Sequence, residues 1–264
     1  MPNELSFKAQ IPVIDANVGV GHCNFRPAPV DTPDELLAEL NRHGVERALI
    51  HHQHGEALSA VTGNDCLYEW LEGHEDVFIP QWMASPEPDC LVQLQELRSA
   101  GKLNNVRIHD SGAARIPFVD WVYGDLFEWL QQERIPVWIS LFDTWNPTWT
   151  ARASTPVTEV MGMRRAFPDL VTVLLGAHYV HSFYVRPFLK LPNTYLELSR
   201  YEVLREFEAL VSEFGPERLL YGSFYPRLAM GPILYYMHSV GFDEAALRTM
   251  CAGNLERILE GGER

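Results

Sequence analysis

The chain is poor in cysteine, and none of its four cysteines lies near another: Cys23, Cys66, Cys90 and Cys251 make no C-x-x-C pair and no short-range framework. Such spacing points to reduced thiols rather than a disulfide scaffold. Cys23 stands in a Gly- and Pro-rich stretch, and a lone loop cysteine with no base in view carries no nucleophile assignment. No segment approaches the roughly 18 uninterrupted apolar residues of a transmembrane helix. The opening stretch carries Glu4, Ser6 and Lys8 where a signal peptide would be apolar. A cytoplasmic protein with no membrane contact is expected. Positive charge is also scarce, with 21 Lys plus Arg against 35 Asp plus Glu and a formal net charge of −14 over 264 residues. That balance repels nucleic acid and anionic lipid, and its plain role is solubility. A phosphate-cradling loop is lacking too, since Gly19-Val20-Gly21 has none of the rest of a dinucleotide fingerprint.

What the sequence does have is alternation from end to end. Apolar, β-rich runs occur at Ile11 to Val18, Arg47 to His52, Val77 to Met83, Asn105 to His109, Pro136 to Phe142, Val171 to His178, Thr194 to Ser199 and Arg218 to Ser223. Helical signals separate them. Thr32, Pro33 and Glu35 read as an N-cap, a proline at the first helical position and a capping-box acid. Thr155 and Pro156 repeat the device. Further helices are expected around Leu67 to Leu71, Leu91 to Leu97, Leu126 to Leu130, Phe207 to Val211 and Leu247 to Leu259. Eight strands each followed by a helix close most simply into one (β/α)8 TIM barrel, an α/β fold filling residues 1–264 as a single domain.

Active sites of such barrels form at the carboxyl ends of the strands, and the residues there are rich in chemistry. The second run ends His51-His52-Gln53-His54, the fourth Arg107-Ile108-His109-Asp110, the fifth Ser140-Leu141-Phe142-Asp143, and the sixth His178. The seventh brings Glu197, Ser199 and Arg200, and the eighth Ser223-Phe224-Tyr225-Pro226-Arg227. Side chains alternate along a strand, so His52 and His54 share a face, as do Arg107 and His109. His52 or His54, His109 and His178 are expected to converge, either as acid–base groups or as a hydrogen-bonded cluster that orders loops. Arg107, Arg200 and Arg227 suit a substrate carboxylate, the alternative being salt bridges to acids such as Asp110, Glu197 or Glu202. Trp145, Trp149, Tyr179, Phe183, Tyr184, Tyr225, Tyr235 and Tyr236 favour a pocket for an apolar or aromatic body.

Four stretches carry a family resemblance: Ile14-Asp15-Ala16-Asn17, Leu174 to His178, Glu217 to Pro226, and Cys251 to Leu259. In their order and spacing, across nearly the whole chain, the sequence resembles the amidohydrolase-related group of metal-dependent TIM-barrel hydrolases and decarboxylases. The resemblance implies hydrolysis or non-oxidative decarboxylation of a small, often aromatic or cyclic acid. It also implies a metal site, and here the sequence departs from the pattern. Asn17 and Gly19 stand where the family's first strand has His-x-His, Ser140 to Asp143 lack the fifth-strand His, and Phe224 replaces the eighth-strand Asp, leaving only His178 matched. Neither a catalytic metal nor another cofactor is expected. The leading expectation is metal-independent acid–base chemistry with His109 and His178 as catalytic groups and Asp143 orienting or sharing the proton. His52, His54, Arg107, Trp145, Arg200, Tyr225 and Arg227 would hold an anionic small molecule. Two alternatives stand beside it: a non-catalytic relative that binds a ligand or partner, and a displaced metal site built from His52, His54, His109 and His178. Pairing of barrels into a homo-oligomer stays open.

Overall fold

A computed structural model describes residues 6–22, 30–109, 116–141, 157–178, 181–201, 203 and 205–261. Each of the eight apolar runs forms a strand, usually shorter than its hydrophobic stretch. β1 (Ile14–Val20), β2 (Arg47–His52) and β3 (Phe78–Pro80) pair in parallel, as do β4 (Trp82–Met83), β5 (Val106–Ile108), β6 (Val137–Ser140), β7 (Thr172–Leu175), β8 (Thr194–Glu197) and β9 (Leu219–Leu220). β3 and β4 are one run interrupted at Gln81. The Gln81 amide still donates to Ile50 of β2 at 2.7 Å, whereas that of Ala84 donates to Arg107 of β5 at 2.7 Å, so the run changes neighbours there. The ring closes where Ala16 and Gly19 amides donate to the carbonyls of Tyr221 and Tyr225 at 3.2 and 2.7 Å, and Val18 bridges Tyr225 in parallel. The result is a closed eight-stave barrel, the TIM fold.

Helices cover the outside. α1 (Pro33–His43) begins with the expected capping box of Thr32 and Glu35 and buries Leu36 and Leu40. It is followed by α2 (Gln53–Ala57), α3 (Ala60–Trp70), α4 (Cys90–Ser99), α5 (Asp120–Gln132), α6 (Val157–Ala166), α7 (Ser182–Leu189), α8 (Glu206–Phe214), α9 (Met230–Ser239) and α10 (Glu244–Arg248). The helix expected over Leu247 to Leu259 is broken by a wide turn at Thr249–Gly253 before α11 (Asn254–Leu259). The cap expected at Thr155 and Pro156 lies outside the described residues. No described helix is long and apolar enough to cross a membrane.

The barrel interior has an apolar floor and a polar upper part. Ile14, Ala16, Leu49, Ile79, Trp138, Val173, Leu175 and Leu220 form the floor, and Leu255 and Ile258 of α11 pack against it. A register shift in β1 between Asp15 and Val18 marks a bulge. The bulge lets Ile14 and Ala16 join the floor while Asn17 and Gly19, further along, also face inward: Asn17 meets Arg107, and Gly19 abuts His51 and Gln53. It thereby re-aims the upper half of the first strand toward the polar layer.

Candidate active site

Arg107, in the middle of the buried strand β5, is a cation that cannot be left alone in the interior. Its partner is Glu56. The short helix α2 carries this carboxylate inward, with no side-chain surface exposed, and Arg107 Nη2 lies 2.8 Å from Oε1. His51 Nε2 approaches the same oxygen to 2.9 Å and His109 Nδ1 to 3.6 Å, while Arg227 Nη2 donates to Oε2 at 2.6 Å. The contacts on Oε1 are close in distance but lack hydrogen-bond alignment; the Arg227 bond has it. The side chains of His51, Arg107 and His109 are at most 1% exposed, whereas that of Arg227 is 14% exposed.

The network continues across the barrel. Arg107 Nη1 donates to Asn17 Oδ1 at 2.9 Å and to Gln81 Oε1 at 3.3 Å, and Asn17 Nδ2 donates to Glu197 Oε2 at 3.2 Å. Glu197 accepts from the amide and hydroxyl of Ser199 at 2.7 and 2.9 Å. Asp15 accepts the amides of Asn17 and Ser223 at 3.0 and 2.9 Å. His51 Nδ1, both His109 nitrogens, Gln81 Nε2 and Ser140 Oγ are buried without a hydrogen-bond partner among the described residues.

Burial sorts the charges. It would push the Glu56 carboxyl up, but Arg227, His109, His51 and Arg107 outweigh it and hold Glu56 well below the usual carboxylate range. Burial, with the Arg107 charge adding, presses His51 and His109 down to about 4, so both rings are neutral at pH 7. Burial drives Asp15 up to about 7 and raises Glu197 as well. Around Glu56, one carboxylate faces two guanidinium groups, and Arg107 also feels the buried Glu197 carboxyl, to which Asn17 links it.

Of the residues expected from sequence, the structure brings together Arg107, His109 and Arg227. The inward residue at the end of β2 is His51, not His52. The chain turns into α2 straight after His52, and the rings of His52 and His54 pack on each other with centroids 5.8 Å apart. No three donors from the set His52, His54, His109 and His178 lie within reach of one ion among the described residues, so the displaced four-histidine site is not assembled. His178 is buried after β7, its amide donating to His181 Nδ1 at 3.0 Å. Arg200 and Arg227 lie over the ring of Phe224, at 5.9 and 5.2 Å from its centre. Phe224 is buried at φ 60°, a left-handed conformation uncommon for an aromatic residue. Tyr225 is half-buried beside β1, and burial pushes its hydroxyl up to about 12. Asp143 and Trp145 lie outside the described residues. Glu56 escaped sequence reasoning, and the one signal for it was indirect: a buried Arg107 demands an acid, and Asp110, the acid nearest it in sequence, lies outside the described residues.

No family model matches the chain, and no curated protein matches it. Solved structures do. An uncharacterized TIM-barrel protein, Bb4693 from Bordetella bronchiseptica, is 20% identical with a TM-score of 0.76, over 96% of this chain and 100% of that one. The 5-carboxyvanillate decarboxylase LigW from Sphingomonas paucimobilis is 15% identical with a TM-score of 0.70, over 95% and 99%. A dihydroxybenzoic acid decarboxylase from Polaromonas sp. JS666, with bound manganese and the inhibitor 2-nitroresorcinol, is 14% identical with a TM-score of 0.73, over 95% and 97%. At these identities the likeness is one of fold, and the chain has the TIM-barrel fold of these proteins along its length.

Proposed function

We propose that this barrel is a hydrolase or carbon–carbon lyase acting on a small carboxylate-bearing molecule, with an aromatic or cyclic body, by histidine-mediated proton transfer and without a catalytic metal. The observation that carries the reading is the Glu56 group: two guanidinium and two neutral imidazole side chains on one buried carboxylate, at the carboxyl ends of the strands. A guanidinium fork suits a carboxylate, and Arg227 is the member of the group whose side chain solvent reaches. The decarboxylase names among the structural neighbours agree with such a substrate. A divalent ion does not fit the residues present: the Asn17 oxygen, where the family resemblance would put a ligand, already accepts a bond from the Arg107 guanidinium, and a second guanidinium sits across Glu56.

In this reading Arg227 pairs with the substrate carboxylate, and Arg200, on the other side of Phe224, adds charge at the mouth. Neutral His109 can take a proton from an attacking water in a hydrolysis, and Glu56 stabilises the imidazolium that forms. In a decarboxylation the ring first takes a proton from solvent, Glu56 stabilising the imidazolium, and then delivers that proton to the carbon whose bond to CO2 breaks. Arg227 first, and Arg107 with it, favours the ionised form of Glu56. The test is a substrate screen in chelator with dihydroxybenzoate-type acids and small carboxylate esters, lactones and amides, read by mass spectrometry. Turnover that persists in chelator and is lost in His109→Ala is expected. Full activity in that variant, or activity only with added metal, overturns the reading, and ligand binding with no turnover favours the non-catalytic relative.

A further inference from the structure

A second cluster stands apart from the Glu56 group, where α2 meets α3. One imidazole nitrogen each from His52 and His54 and the Cys66 thiol lie within 4.8 Å of one another, with Cys66 Sγ 3.9 Å from His54 Nδ1. Glycines create the cluster. A Cβ on Gly63, three residues before Cys66, would sit 2.3 Å from the backbone of Gly55, next to His54, so α2 and α3 touch backbone to backbone and bring ring and thiol together. A Cβ on Gly21 would lie 2.0 Å from His52 Nε2, so the His52 ring fills the space that a side chain there would take. Unlike His51 and His109, neither ring pairs with a carboxylate among the described residues.

We propose that His52, His54 and Cys66 form a binding site for a soft divalent transition metal of the zinc class. Two imidazoles and a thiolate are the ligands such ions select over magnesium or calcium. Metal–sulfur and metal–nitrogen distances of about 2.3 and 2.0–2.1 Å put the sulfur and nitrogen of a tetrahedral site about 3.5 Å apart. The Cys66–His54 pair, at 3.9 Å, is close to that spacing, and the His52 ring, whose Nδ1 accepts the His54 amide at 3.2 Å, moves in from within 4.8 Å. Binding forms the metal–sulfur bond and releases the thiol proton to solvent, and water completes the tetrahedron. The ion would pin α2, a five-residue helix too short to hold itself, to α3. Since α2 also presents Glu56, the site acts as an ordering clamp beside the anion-binding group rather than as part of it.

Cobalt(II) titrated into chelator-treated, tag-free full-length protein tests this without reference to turnover. One equivalent is expected to bind, with the intense ligand-field bands of tetrahedral cobalt and a thiolate-to-cobalt charge-transfer band, all displaced by zinc. Cys66→Ser should lose the charge-transfer band, and His54→Ala the tetrahedral spectrum. In wild-type protein, zinc should also protect Cys66 from alkylation, read on its peptide by mass spectrometry, which keeps the test intact if a variant misfolds. No cobalt bound at micromolar protein, a charge-transfer band that survives Cys66→Ser, or alkylation of Cys66 unchanged by zinc overturns the proposal.

Discussion

Replacing Glu56 by Gln keeps the shape of the side chain and removes the carboxylate charge that Arg107 and Arg227 both face. Arg107 has no water to turn to, with 1% of its side chain exposed; its remaining hydrogen-bond partners, Asn17 and Gln81, are neutral, and Glu197 acts on it only from beyond Asn17. Removing one partner of a fully buried pair costs about 3–5 kcal/mol, because the other charge stays buried and uncompensated. For a chain of this size each kcal/mol lowers Tm by about 2–4 °C, so a fall of about 6–20 °C is expected. Urea unfolding followed by tryptophan fluorescence, with a thermal melt alongside, measures it. Glu133→Gln is the internal control: its ion pair with Arg98 spans 3.1 Å at 41% and 42% exposure, and its loss should cost only about 0–1 kcal/mol. If Glu56→Gln behaves like Glu133→Gln, the interior charge network does not hold the barrel as described.

Three other outcomes follow from the same contacts. His51 and His109 are held at about 4 in the fold against an ordinary 6.5, so between those values the unfolded chain binds protons that the native state refuses. Their contribution is therefore stability that falls as pH drops from about 6.5 to about 4. Asp15, raised to about 7, slopes the opposite way, so the check is the difference between wild type and His109→Gln, which cancels it; the variant should show the shallower acid-side loss in urea midpoints at pH 7, 6 and 5. Gly63→Ala should cost about 1–3 kcal/mol through the overpacked contact with Gly55, whereas Gly73→Ala, in open space at positive φ, should cost only its backbone strain; equal midpoints for Gly63→Ala and wild type would contradict the packing of α2 on α3. In a steady-state assay with a turned-over acid, Arg200→Ala should raise KM more than it lowers kcat, and a change in kcat alone would contradict its place at the mouth.

The barrel was legible because each stave is a compact apolar run between amphipathic stretches, and period-two alternation correctly set Arg107 and His109 on one face. The same alternation failed at the end of β2. His51 pairs in register with Gly19 beyond the β1 bulge, and the chain leaves the strand at His52, so extending the alternation to His54 selected the wrong histidines. Glu56 was illegible for a related reason. Five residues of helix show no periodicity, and partners such as Arg227, on the far side of the chain, leave no local mark. A bulge and a long-range ion pair are products of barrel closure, and neither can be seen in a single segment.

The central claim is that the Glu56 group binds a small organic anion through guanidinium charge and not through a metal. Calorimetric titration of chelator-treated protein with 2,6-dihydroxybenzoate and related aromatic acids, repeated with Arg227→Ala, tests it directly. The account predicts saturable binding in chelator that weakens by at least about tenfold in Arg227→Ala, a loss of about 1.4 kcal/mol or more. Binding that is indifferent to Arg227, or that requires an added divalent ion, would contradict it.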